Sequence, residues 1–109
     1  MTDLREERCA ELLPILSALT PLLIEVQGDK GRAKELLPLV AQLRAVAWKG
    51  AEGVDAAPYR QWIASSESSL DAMEEALRDG DTQKAWQLFA DQSTGVNLLG
   101  QACADCAGW

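Results

Sequence analysis

The residues of this chain best suited to chemistry are three cysteines. Cys103 and Cys106 stand three positions apart in Cys103-Ala104-Asp105-Cys106, and Cys9 lies far from them in the sequence. Thiols at the Cys-x-x-Cys spacing can close a disulfide, hold a soft metal or anchor a haem. The chain contains no histidine. That removes the Ser-His-Asp and Cys-His nucleophile pairs, histidine-containing zinc sites and the Glu-x-x-His di-iron motif. No glycine-rich phosphate loop is present, and neighbouring carboxylates such as Glu74 and Glu75 point apart on a helix. No catalytic residues are assigned, and a non-enzymatic role is the expectation.

The position of the cysteine motif decides how it is read. It closes a helical pattern, where the helix dipole opposes thiolate, whereas redox-active Cys-x-x-Cys pairs stand at a helix N-terminus. A bridge between i and i+3 meets disulfide geometry only marginally on a regular helix. If the first and last helices end side by side, Cys9 joins the pair. Three thiolates with Asp105, Glu6 or water would then suit zinc or cuprous copper. The plainest alternative has all three cysteines packing as small hydrophobes.

The helices that would position these thiols are legible from composition and spacing. Ala, Leu, Glu, Gln and Arg are abundant, so local propensity favours helix almost throughout. Cys9, Leu12, Leu16, Leu19, Leu23 and Val26 form one stripe over about residues 3 to 27. Pro14 and Pro21 both lie off that stripe; they either kink a single long helix or break it at Thr20-Pro21. After a turn at 28–31, Ala33, Leu36, Val40, Leu43 and Ala47 form a second stripe, ending near Lys49-Gly50. A loop over 50–58 follows, with Asp55 the expected cap of a third helix carrying Tyr59, Trp62, Ile63, Ser66, Leu70, Met73 and Leu77 inward. Gly80 ends it. Asp81 caps a fourth helix whose seam runs through Ala85, Phe89, Gln92, Val96, Leu99, Cys103 and Cys106. The expected fold is all-α, an antiparallel up-down-up-down four-helix bundle forming a single domain over 1–109.

Charge narrows the partners. Seventeen Asp and Glu oppose ten Lys and Arg, a net charge of −7, and the basic residues are scattered. That argues against nucleic acid, which needs clustered positive charge, and against an anionic membrane surface. No apolar run approaches the roughly 18 residues of a membrane span, and the first seven residues lack the basic and apolar regions of a signal peptide. A cytoplasmic location is expected, or a periplasmic one for a mature exported form. The partner class is another protein or a second copy of the chain, as a homodimer.

Two further candidate surfaces emerge. If helices three and four form a hairpin about Gly80-Asp81, the serine block at 65–69 falls opposite Thr94-Gly95. Trp62, Ser66, Ser69, Thr94 and Gly95 would then line a small-molecule pocket, with close helix approach as the competing explanation. Four tryptophans are many for this length. Trp86, off the fourth seam, and Trp109, at the end, are the candidate interface anchors.

The segment Ala76-Leu77-Arg78-Asp79-Gly80-Asp81, continuing through Ala85 and Phe89 to Gly100-Gln101-Ala102-Cys103-Ala104-Asp105-Cys106, resembles the last helical hairpin of cytochrome c prime and its b-type four-helix relatives. The likeness covers roughly 35 residues, about a third of the chain, and implies a four-helix bundle with haem attached through Cys103 and Cys106. Ala107 stands where that family carries its haem-ligating histidine, so the expectation is a bundle without c-type haem. The sequence therefore fits three readings: a binding or interaction module, a thiol-based redox or soft-metal protein using Cys103, Cys106 and Cys9, and a bundle with a small-molecule pocket.

Overall fold

Two long helices set the dimensions of the molecule. In the computed structural model, which describes residues 4–91 and 93–109, α1 (Leu4–Glu25) and α3 (Ala57–Arg78) each run for 22 residues, or about 33 Å at 1.5 Å per residue. Between them lie a 3₁₀ turn (Ala33–Leu36) and α2 (Leu37–Ala47); α4 (Thr82–Ala90) and α5 (Asn97–Ala102) complete the order. The described residues are all helix, turn and loop, with no strand among them, and measure 47 × 25 × 21 Å. Residue 3, the expected start of the first helix, and Gln92, expected on the last seam, lie outside the described residues.

The α1 stripe forms as its spacing demands. Cys9, Leu12, Leu16, Leu19, Leu23 and Val26 are all buried, while Pro14 and Pro21 face solvent. A proline removes one backbone donor and crowds the preceding turn. On the wet side water can serve the freed carbonyl, and the helix continues unbroken through Thr20. The break at Thr20-Pro21 is thus excluded.

The second helix departs from expectation at its start. Lacking an N–H, Pro38 leaves the carbonyl of Lys34 without its helical donor and is well suited to the first turn of a helix. The chain makes a 3₁₀ turn first, Leu37 N–H donating to Lys34 O, and Pro38 occupies the first turn of α2. At the third helix Ala56, not Asp55, is the N-cap, and Pro58 again sits in the first turn. The buried face of α3 is the expected one with Ala76 added, though Ile63 is only half-buried.

The largest correction concerns the fourth helix. In place of one helix from Asp81 to Cys106, α4 stops at Ala90 and α5 restarts at Asn97. Asp91 causes the break. Its Oδ1 accepts the N–H groups of Ser93 (2.7 Å) and Thr94 (3.1 Å), so the side chain replaces helical partners of the backbone. Gly95 N–H then donates to Asp91 O and Val96 N–H to Phe89 O. A Cβ at Gly95 would run into the carbonyl oxygens of Phe89 and Asp91, so this reversal needs glycine.

Packing joins the elements around α3, which contacts α2, α4 and α5, while α1 packs on α2 and more lightly on α4. Arg44 of α2 reaches Asp71 (2.7 Å) and Glu74 (3.1 Å) on α3. Between α3 and α4 the chain turns by a Schellman motif: Asp81 N–H donates to Ala76 O, Gly80 N–H donates to Leu77 O, and Gly80 takes φ +75°, the left-handed conformation this turn requires. No helix among the described residues is long and apolar enough to cross a membrane.

Candidate functional site

Two places, at opposite ends of α1, concentrate the groups that could bind or react. The first is the cysteine site. Cys9 sits on the second turn of α1 and Cys103 immediately after α5; both are fully buried and joined as a disulfide, with 5.8 Å between Cα atoms. Cys106 is the remaining thiol and is half-buried. The motif cysteines are therefore not paired with each other. Cys103 is the C-cap of α5 and Cys106 follows in a turn, its N–H donating to Cys103 O at 2.9 Å. The helical seam expected to carry both ends before Cys106. Cys9 does lie beside the motif, as juxtaposed first and last helices would place it.

Polar contacts tie the tail to α1 around this bridge. The Arg5 guanidinium forms a two-pronged ion pair with Asp105, its Nη2 donating at 3.1 Å to Oδ2, and Nη1 donates to Ala102 O at 2.9 Å. That pairing holds Asp105 below the usual carboxylate range. Arg5 Nη1 also lies 3.8 Å from Cys106 Sγ. Trp109 Nε1 donates to Cys9 O at 3.0 Å, and its ring packs on the core. Trp109 thus acts within the molecule as a tie between tail and α1. With Cys9 and Cys103 oxidised, two of the three sulfurs proposed as zinc or copper ligands carry no thiolate. No group of three or more Cys, Asp or Glu among the described residues is arranged to hold a metal.

The second place is an open groove of about 1030 Å³ between the end of α1 and the α3–α4 turn, lined by Ile24, Gln27, Lys30, Asp79, Asp81 and Trp86 among others. Backbone and side-chain hydrogen bonds build its floor. Gln27 Nε2 donates to Thr82 O, and Gly28 N–H donates to Thr82 Oγ1, each at 3.0 Å; Thr82 is buried. Asp81 Oδ1 accepts Lys84 N–H and caps α4. Trp86 is half-buried and stacks on Phe89 with ring centres 5.8 Å apart. Ile24 is 56 % exposed, an apolar side chain left in water beside an indole. The sequence marked Trp86 but not Ile24, which a helical wheel places on the solvent face.

The five residues expected to line a pocket between helices three and four lie apart from this groove. Trp62 and Ser66 are in the core, and the Ser66 hydroxyl donates to Ile63 O at 2.9 Å within its own helix. Ser69 and Thr94 are half-buried. Gly95 packs against its own loop, and none of the five borders the groove or the smaller concavities nearby. Trp48, which the sequence did not single out, is 76 % exposed at the end of α2.

Compared with protein-family models, curated proteins and solved structures, the chain matches none.

Proposed function

We propose that this chain is a non-enzymatic binding module, an acidic antiparallel four-helix-type bundle without haem, whose contact surface is the groove around Ile24 and Trp86. The observation that carries the reading is the exposed Ile24 beside a half-buried indole on a floor fixed by hydrogen bonds to Thr82. Apolar anchors presented from a rigid frame are what partner surfaces use. The occupant we assign is a basic segment of another protein carrying an apolar anchor. Asp79 and Asp81 face Lys30 around the groove, and the chain as a whole carries −7, so a cationic partner is drawn to it and an anionic one repelled.

A Lys/Leu amphipathic peptide and its Glu/Leu counterpart, titrated calorimetrically into the full chain, test this. Binding of the basic peptide alone, weakened at least tenfold by Ile24→Lys, is the expected result. Equal binding of both peptides, or indifference to Ile24→Lys, would remove the assignment. A concentration-dependent dimer that Ile24→Lys abolishes would give the groove to a second copy instead. The Cys9–Cys103 bridge supports an oxidising compartment over the cytoplasm, since such bonds persist where thiols are not kept reduced.

A further inference from the structure

The geometry points to an internal thiol–disulfide exchange in which Cys106 attacks Cys103, closing a Cys103–Cys106 bridge and releasing Cys9. The Cys106 sulfur, as thiolate, forms a bond to Cys103 Sγ; the Cys9–Cys103 bond breaks, and its electron pair leaves with Cys9. Cys9 takes up the proton that Cys106 gave away. One disulfide and one thiol are present before and after, so no oxidant or reductant is consumed.

Three observations support this step. First, Cys9 and Cys103 are completely buried, which shields their bond from thiols in solution. Cys106 shares a turn with Cys103 and needs no entry path. Second, the segment from Cys103 onward is held by turns, not by helix. The regular geometry that makes an i, i+3 bridge marginal on a helix does not constrain it. Third, Arg5 anchors the attacking residue from α1, gripping Asp105 and Ala102 O while Nη1 contacts Cys106 Sγ. Arg5 is in this scheme a positioning residue. The half-buried Cys106 borders a small concavity of about 230 Å³ with Glu6, Ala10 and Asp105, which leaves room for the sulfur to move. The exchange would untie the tail from α1 covalently while leaving the Arg5–Asp105 and Trp109–Cys9 contacts to hold it.

Trypsin separates the two isomers cleanly, because cleavage after Arg8, Lys30 and Lys84 puts Cys9 on fragment 9–30 and both motif cysteines on fragment 85–109. The full chain is incubated without denaturant at pH 8, quenched in acid, then alkylated with N-ethylmaleimide in denaturant and digested. Before exchange the fragments are linked and the label is on Cys106. After exchange fragment 85–109 is closed on itself and the label is on Cys9. The exchanged form is expected to accumulate in the wild type and to be absent in Cys106→Ser. Its initial rate should fall about tenfold or more at pH 6, because thiolate is the attacking species. Arg5→Gln should slow it at pH 8 with the same end products. Fragments that remain linked through Cys9 after a day at pH 8, or Cys9 labelling that is equal in Cys106→Ser, would overturn the proposal.

Discussion

Removing the Cys9–Cys103 bridge should cost this molecule about as much as its most damaging single core truncations. The bridge joins residues 94 positions apart, and the chain-entropy relation gives about 4.7 kcal/mol at 25 °C for a loop of about this length. The same relation gives about 1.9 kcal/mol for the four-residue loop of a Cys103–Cys106 bridge. The comparison must keep exchange out, so both proteins carry Cys106→Ala, and one also carries Cys9→Ala and Cys103→Ala. Guanidinium unfolding should show the bridged protein about 4 to 5 kcal/mol more stable, with the unbridged one having the larger m-value because its unfolded state is more open. At roughly 4 °C per kcal/mol for a domain of this size, the melting temperature should drop by about 15 to 20 °C. A loss under about 2 kcal/mol would refute the loop-closure account. It would mean that Arg5, Asp105 and Trp109 already fix the tail, or that the unfolded chain keeps these segments close.

Other expectations follow from single contacts. The Asp91 carboxylate accepts two backbone N–H groups and so titrates below its ordinary value. A lowered folded pKa contributes stability that is present above the unfolded value of about 3.9 and is lost as pH falls through the folded one. The turn held by Asp91 should therefore loosen in acid, and Asp91→Ala should bring faster amide exchange at Ser93 and Thr94 at neutral pH. The Tyr59 hydroxyl is buried with no hydrogen-bond partner among the described residues, and burial pushes its pKa up. Tyr59→Phe should then be neutral or stabilising by about 1 kcal/mol in thermal unfolding. It should also reduce the loss of stability above about pH 10, where the unfolded phenol ionises and the folded one resists. Gly80→Ala should destabilise by about 1 to 2 kcal/mol, because φ is positive there. The added Cβ would also press within 3.0 Å of Lys30 Cβ at the edge of the groove.

The parts of this fold that follow from side-chain periodicity were legible in the sequence, and the parts that follow from local backbone competition were not. The stripe from Cys9 to Val26 depends only on burying one face, and every member is buried. The seam from Phe89 to Cys106 has the same spacing, yet Asp91 takes the backbone donors for itself and the helix ends. Nothing in the spacing separates an aspartate that faces solvent from one that folds back. Pro38 illustrates the same point, because it opens α2 after a 3₁₀ turn while Pro14 and Pro21 lie inside an unbroken α1. At the candidate sites, the nearness of Cys9 to the motif could be read from helix order, but which two sulfurs bond depends on how the tail leaves α5. Ile24 escaped because its exposure is normal for its wheel position. Only the turn folded beside it makes a groove.

The bridge also determines how the molecule bears tension. A force applied to the segments flanking Cys9 and Cys103 passes from α1 to the tail through the sulfur–sulfur bond, and the 93 residues between them carry almost none of it. Once the link moves to Cys103–Cys106, the same pull would unravel the helices. The position of a single sulfur bond thus separates a mechanically inextensible tether from an extensible one.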